Sequence, residues 1–144
     1  MADLTPEEVR QYLADSIENN HLLDAEEFTD ARINLAITLA VDSFNTIPPL
    51  TSTELADIRS KAVVLYGTLM HLYIGQTALA ARNQMSYSDG GLTVPIEERY
   101  QFYVQMSQLY ESMFKAAAKD LKVSMNLESA WSEVRTDYAT FPIW

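Results

Sequence analysis

The chain contains no cysteine among its 144 residues. A disulfide scaffold, a thiolate zinc site and a cysteine nucleophile are therefore excluded. Basic residues are also scarce, because ten Lys and Arg stand against twenty Asp and Glu, which gives a formal net charge of −10. Proteins bind nucleic acid chiefly by placing Lys and Arg against phosphates. Ordinary nucleic-acid binding is therefore not expected.

The sequence also lacks the local motifs that mark an active site or a cofactor site. It has no Gly-x-Gly-x-x-Gly fingerprint, no Walker loop and no nucleophile elbow. A di-metal site in a helical bundle requires Glu-x-x-His on two helices, and the chain does not carry that pair. Of the two histidines, His71 is expected to be a core residue bonded to a carbonyl or a neighbour, and His21 a solvated turn residue. We expect no metal, no cofactor and no enzyme activity.

Residues 62–81 are twenty consecutive residues without a formal charge, which is the length of a membrane span. However, Thr68, His71 and Gln76 lie within this stretch, and such polar side chains are costly in hydrocarbon. The sequence start also lacks the basic region and apolar core of a signal peptide, so a reducing cytoplasm and no membrane are expected. A helix that is apolar all round is buried all round. We expect neighbouring subunits of an oligomer to supply part of its cover.

The negative charge is concentrated at the start of the chain. The first 30 residues carry nine acidic residues and a single arginine, a balance of about −8. An acidic wall repels phosphate. We therefore expect part of this surface to face DNA without binding it.

Apolar periodicity predicts an all-α helical bundle with long central helices. Thr5 and Glu8 form a capping box around Pro6, and Thr51 to Glu54 repeat the same type of start. The predicted helices cover 6–19, 29–45, 52–83 and 96–122, with a final short helix over 127–135 that Asn126 caps. The buried face of the second helix is predicted to contain Ile33, Ala36, Ile37, Ala40, Val41 and Phe44.

The last long helix has an unusually wide apolar face. Its main side holds Tyr100, Tyr103, Tyr110, Phe114, Ala117 and Leu121, and Phe102, Met106, Leu109 and Met113 broaden it. That width exceeds what one partner helix needs, so we expect two contact surfaces.

Two segments are unusual for a helical bundle. The Asp-Gly-Gly turn in residues 86–94 predicts a small β-hairpin between the last two long helices. The extended tail is aromatic, whereas chain ends are usually polar. It either folds back onto its own domain or docks onto a partner, since Trp and Tyr are typical interface anchors. We divide the chain into a helical domain, 1–125, and a C-terminal short helix with a docking tail, 126–144.

The run RNQMSYSDGGLTV, residues 82–94, resembles predicted virion proteins of tailed bacteriophages. The helix that opens with LTPEEV, the acidic turn and the Ala/Ile-rich helix together resemble head–tail connector proteins, also called adaptor or head-completion proteins. The resemblance in layout covers most of the chain, and only the Tyr-Ser-Asp-Gly-Gly segment is specific. The chain is longer than the smallest connectors, chiefly in its last helix and tail.

The resemblance implies a homo-oligomeric ring, commonly twelve-fold, beneath the portal protein in the virion neck. Such a ring assembles in the host cytoplasm, extends the DNA channel and offers a docking surface to tail or neck proteins. The hairpin and the tail would then contact the partner proteins. The residues expected to do so are Tyr87, Asp89, Gly90, Gly91, Tyr138, Phe141, Pro142 and Trp144.

Two other functions fit the sequence. One is a tail-completion or tail-terminator ring elsewhere in the same particle. The other is a small soluble helical enzyme or regulator, unrelated to virions, with His71 in a pocket.

Overall fold

A computed structural model describes residues 3–20, 25–83, 88–89, 92–93 and 97–138. These residues form an all-α fold, as predicted. Its α-helices are α1 (Pro6–Leu13), α2 (Asp30–Thr46), α3 (Lys61–Arg82) and α4 (Glu97–Tyr138), and a single 3-10 turn, Leu55–Asp57, precedes α3.

Helix α1 begins as predicted but ends six residues early. The Thr5 side chain accepts from the Glu8 amide, and the Glu8 side chain accepts from the Thr5 amide, which completes the capping box. The helix ends at Leu13, and its C-cap Ala14 has a left-handed φ of 53°. This turn directs Asp15 into the protein, where its carboxylate accepts the amides of Glu27 and Phe28 at 2.8 and 3.0 Å. The predicted helix over 14–19 was therefore wrong.

Helix α2 confirms its predicted bounds to within one residue, with Thr29 as the N-cap. Its predicted core face is also confirmed, except that one member is only partly buried. The buried residues are Ile33, Ala36, Ile37, Ala40 and Phe44, and Val41 packs at the edge.

Helix α3 starts at Lys61, so the prediction of one helix over 52–83 was wrong at its start. Asn45 at the end of α2 explains the difference. Its side chain accepts a hydrogen bond from the Thr53 amide and donates one to the Thr53 carbonyl, both at 2.9 Å. These bonds occupy the Thr53 backbone groups that a helix beginning at this point would use. The predicted cap at Thr51 instead donates its hydroxyl to Asn45.

Helix α4 has 42 residues and continues through Asn126 to Tyr138. The predicted helix end near Lys122 and the separate short helix over 127–135 were therefore wrong. Tyr138 was expected to lie in the extended tail and is instead the last residue of α4. The division into domains at 125 stays a prediction, although the backbone is helical across that boundary.

Of the β-hairpin predicted over 86–94, the structure describes four residues. Two segments of two residues, β1 (Ser88–Asp89) and β2 (Leu92–Thr93), pair antiparallel, with Ser88 opposite Thr93 and Asp89 opposite Leu92. The rest of the predicted hairpin, including its Gly-Gly turn, lies outside the described residues.

The core lies where α2, α3 and α4 meet, with α3 packed against both other helices. At Gly67 of α3 the three helices approach closely. A Cβ added to Gly67 would lie 2.8 Å from the Cβ of Ala40 on α2 and 2.9 Å from the Phe114 ring on α4. The absence of a side chain at this position therefore lets three helices converge.

By length and composition, α3 could cross a membrane. A core helix of a soluble protein meets the same criteria. Nine of its 22 residues are buried in the protein, among them Leu69 and Leu72. Its cover is incomplete, because the Ile74 side chain is 47% exposed and Leu79 is 38% exposed.

Candidate functional site

The structure describes two of the residues predicted to bind partners. Asp89 lies in β1 and Tyr138 ends α4. The others lie outside the described residues: Tyr87, Gly90, Gly91, Phe141, Pro142 and Trp144. Their role in partner binding stays a prediction.

His71 lies on α3, its side chain contacts α2, and it is partly buried. Its Nε2 is 2.9 Å from the Ser43 hydroxyl, and the ring also hydrogen-bonds to the backbone of Leu39. Burial lowers the pKa of His71 below its usual value, although the bond to Leu39 opposes the shift. These contacts fit the predicted core histidine, and they position α2 against α3. His21 lies outside the described residues.

A cleft of about 340 Å³ lies beside Glu27, between the turn before α2 and helices α3 and α4. The Glu27 carboxylate accepts the Gln76 amide at 3.0 Å and the Tyr103 hydroxyl at 2.8 Å through the same oxygen. Arg32 and Arg99 also line the cleft. The carboxylate thereby ties an acidic turn to both long helices.

Three tyrosines pack beside this cleft. The Tyr73 ring stacks on Tyr110 at 5.7 Å and lies 6.2 Å from Tyr103. Burial raises the pKa of Tyr73 to about 12, and burial together with the bond to Glu27 raises the pKa of Tyr103 to about 12. These phenols stay protonated at neutral pH, so they act as packed rings and hydrogen-bond donors.

Lys122 is a buried cation that the sequence analysis did not identify. Its Nζ donates to the carbonyls of Ile47 and Pro49, the latter at 2.8 Å, and lies 4.8 Å from the centre of the Phe44 ring. The charge thus meets carbonyl groups at the C-terminal end of α2, where a cation is favourable. It fixes the loop after α2 to α4.

No group of three or more metal-ligating side chains occurs within the described residues.

The acidic N-terminal surface is less free than its composition suggests. Arg10 pairs with Glu26 and Asp30, and Lys61 pairs with Glu8. Asp15 and Glu27 turn inward, as described above. Among the described residues of this region, the exposed acidic ones without such a contact are Asp3, Glu7 and Glu18.

Large apolar side chains remain exposed along one side of α4. Phe102, Leu109 and Val123 are each about half exposed, at 51, 50 and 50%, and exposed Ala116 lies between the last two. We call Phe102, Leu109, Ala116 and Val123 the α4 stripe. The main face of α4, including Tyr110, Phe114 and Ala118, is buried in the core. The predicted second apolar surface of this helix is therefore present.

A second exposed apolar surface lies on α2 and α3. Leu35 and Leu39 are one turn apart on α2, and Ile74 lies on α3 close to His71, which contacts Leu39. We call Leu35, Leu39 and Ile74 the α2–α3 patch. It includes Ile74, one of the α3 residues that the subunit leaves uncovered.

No protein-family model, no curated protein and no solved structure matches this chain.

Proposed function

We propose that the protein is a structural subunit of the neck of a tailed bacteriophage. Copies form a ring beneath the portal protein, extend the DNA channel and join the head to the tail or to other neck proteins. The subunit assembles in the host cytoplasm and resides in the virion.

The observation that carries the proposal is the apolar helix surface that the subunit leaves uncovered. Contiguous exposed apolar surface on a soluble domain is typical of an interaction site. The α4 stripe and the α2–α3 patch together expose six large apolar side chains on three helices. A subunit that contacts neighbours on two sides requires such surfaces.

The charge of the chain supports a channel that DNA passes without being held. Its net charge is −10, and Asp3, Glu7 and Glu18 are exposed near its start. DNA affinity depends on cations that displace counterions from phosphates. We expect no measurable binding of duplex DNA at physiological salt, and sub-micromolar binding in a mobility-shift assay would contradict this part of the proposal.

The cleft beside Glu27 favours the alternative of a small helical enzyme or regulator. However, the Glu27 oxygen that faces Gln76 and Tyr103 already has two donors, and the nearby phenols stay protonated. These groups stabilise the fold. They leave the proposal of a structural subunit as the better supported one.

The test is the location of the protein in a native particle. Cryo-electron microscopy of the phage that encodes the chain should show all-helical density of this shape in a ring between portal and tail. Density at the tail end of the neck, away from the portal, would favour the tail-completion alternative. A particle without the protein would overturn both virion proposals.

A further inference from the structure

We infer that the α4 stripe of one copy binds the α2–α3 patch of the next copy, head to tail, already in the free protein. The inference rests on the proposed function, because it assigns the contact that would close the ring. Each of the two surfaces thereby has one partner surface on a second copy of the chain.

The spacing of the α4 stripe indicates a helical partner. Its four members recur at intervals of seven residues, and the partly buried Met106 and Met113 follow Phe102 and Leu109 after four residues. Apolar residues at alternating separations of four and three form the seam along which one helix packs on another. A straight helix drifts only about 20° per heptad, so the stripe remains on one side of α4.

The α2–α3 patch has the form of a surface on which a helix packs. Leu35 and Leu39 form a ridge one turn long on α2, and exposed Ile74 lies on the neighbouring helix α3. Two polar groups beside it, His71 and Ser43, are bonded to each other at 2.9 Å. Covering the patch therefore leaves neither of these side chains without a partner.

Charge also matches across the two surfaces. Exposed Asp42 lies three residues after Leu39, and exposed Lys119 lies between Ala116 and Val123. Neither is in an ion pair among the described residues. A helix that lies on the patch can therefore bring Lys119 to Asp42.

The presence of two different surfaces favours head-to-tail association over a symmetric dimer. A two-fold dimer buries the same patch on both copies and would leave the other surface exposed. Pairing the stripe with the patch uses each surface once per copy. Contacts of this kind close into a ring when the rotation between copies is suitable.

The absence of cysteine allows a direct test by disulfide cross-linking. Leu39→Cys and Leu109→Cys place one thiol on each surface, and Leu50→Cys, at a 79% exposed position outside both, is the control. One variant carries a fusion tag so that its mass differs from the other. Each purified full-length variant is first checked by circular dichroism and thermal melting to be folded.

Mild oxidation of the mixture should give the mixed Leu39→Cys–Leu109→Cys dimer in clear excess over either variant alone and over mixtures that contain Leu50→Cys. The double variant should form multimers larger than two. Dimers from Leu109→Cys alone at the same yield would indicate a symmetric α4 contact and would overturn the inference. Yields no higher than the Leu50→Cys control would overturn it as well, even if the protein is found in the neck.

A charge exchange adds a second readout. Asp42→Lys in the Leu39→Cys chain, or Lys119→Glu in the Leu109→Cys chain, should each lower the cross-linking yield about two- to fivefold. Combining both changes should restore it, because the pair is then reversed. If the combination cross-links no better than the single changes, Asp42 and Lys119 do not meet and the proposed register is wrong.

Discussion

Gly67 of α3 lies against Ala40 of α2 so closely that an added methyl group would be 2.8 Å from the Ala40 Cβ. The Phe114 ring confines the same space from α4. Real Cβ atoms do not approach at this distance, and the Ala40 Cβ is fixed to a helix backbone. This contact sets the separation of the three central helices.

Gly67→Ala should therefore destabilise the protein, although alanine is the better helix former by about 1 kcal/mol. Overpacking of this kind costs about 1–3 kcal/mol. Gly75→Ala is the matched control on the same helix, since its Cβ would meet only the Arg32 guanidinium at 3.4 Å. Urea unfolding should show a loss for Gly67→Ala and no loss for Gly75→Ala. Equal effects would mean that the helices can separate freely at Gly67.

Leu69→Asp should leave the protein unfolded or unable to assemble. The Leu69 side chain is fully buried and Leu72 nearly so, and an unpaired buried charge exceeds what a domain of about 5–15 kcal/mol total stability tolerates. Ile74 on the same helix is half exposed, so the Ile74→Asp variant should retain the helical circular-dichroism spectrum. A folded Leu69→Asp variant with wild-type stability would contradict the central position of α3.

His71 should make stability dependent on pH below neutrality. Its folded pKa is lowered, so the unfolded chain binds more protons once the pH falls below its ordinary value of 6.5. The unfolding free energy is thus highest above about pH 6.5 and decreases on acidification until the folded pKa has also been passed. His71→Gln should reduce this slope between pH 7 and 5. If the unfolding free energies of the wild type and His71→Gln, measured by chemical denaturation, changed in parallel with pH, other groups would cause the pH dependence.

Asp15→Ala should cost about 2–4 kcal/mol, because the Glu27 and Phe28 amides lose their acceptor near the core. Asp15→Asn should destabilise the protein less than Asp15→Ala, since its amide oxygen can still accept one of these bonds. Exposed Asp3→Ala is the control and should melt like the wild type. An Asp15→Ala variant as stable as Asp3→Ala would show that water replaces the carboxylate at no cost.

Deleting residues 138–144 tests the predicted docking tail. If the aromatic residues bind a partner, the free subunit should keep its melting temperature, and incorporation into particles should fail in a complementation assay. Deletion of 143–144 alone serves as a graded comparison. A large decrease in the melting temperature of the free subunit would instead place the tail in the subunit's own core.

Sequence patterns predicted the features that depend on local chemistry. The capping box at Thr5, the core face of α2 and the burial of Leu69 follow from short-range spacing, and the structure confirms them. The wide apolar face of α4 was also visible in the sequence, because Phe102 and Leu109 lie beside the apolar residues that face the core.

The errors arose where distant contacts compete with local propensity. Asn45 binds the segment around Thr53 and thereby delays the start of α3, and Asp15 turns inward to meet amides twelve and thirteen residues away. A buried cation such as Lys122 carries no local signature either, because its carbonyl partners are more than 70 residues distant in the chain. Such positions become visible only when the fold is known.

Helix α4 has a mechanical consequence that its length alone determines. At about 1.5 Å per residue, its 42 residues extend about 63 Å, whereas α3 extends about 33 Å. The last described side chains, from Asn126 to Ala130, are all exposed, while the helix continues to Tyr138. A continuous helix is a spacer whose length is set by its number of residues. Inserting seven residues after Asn126 would move its end outward by about 10 Å with little rotation, and inserting five would turn it to the opposite side.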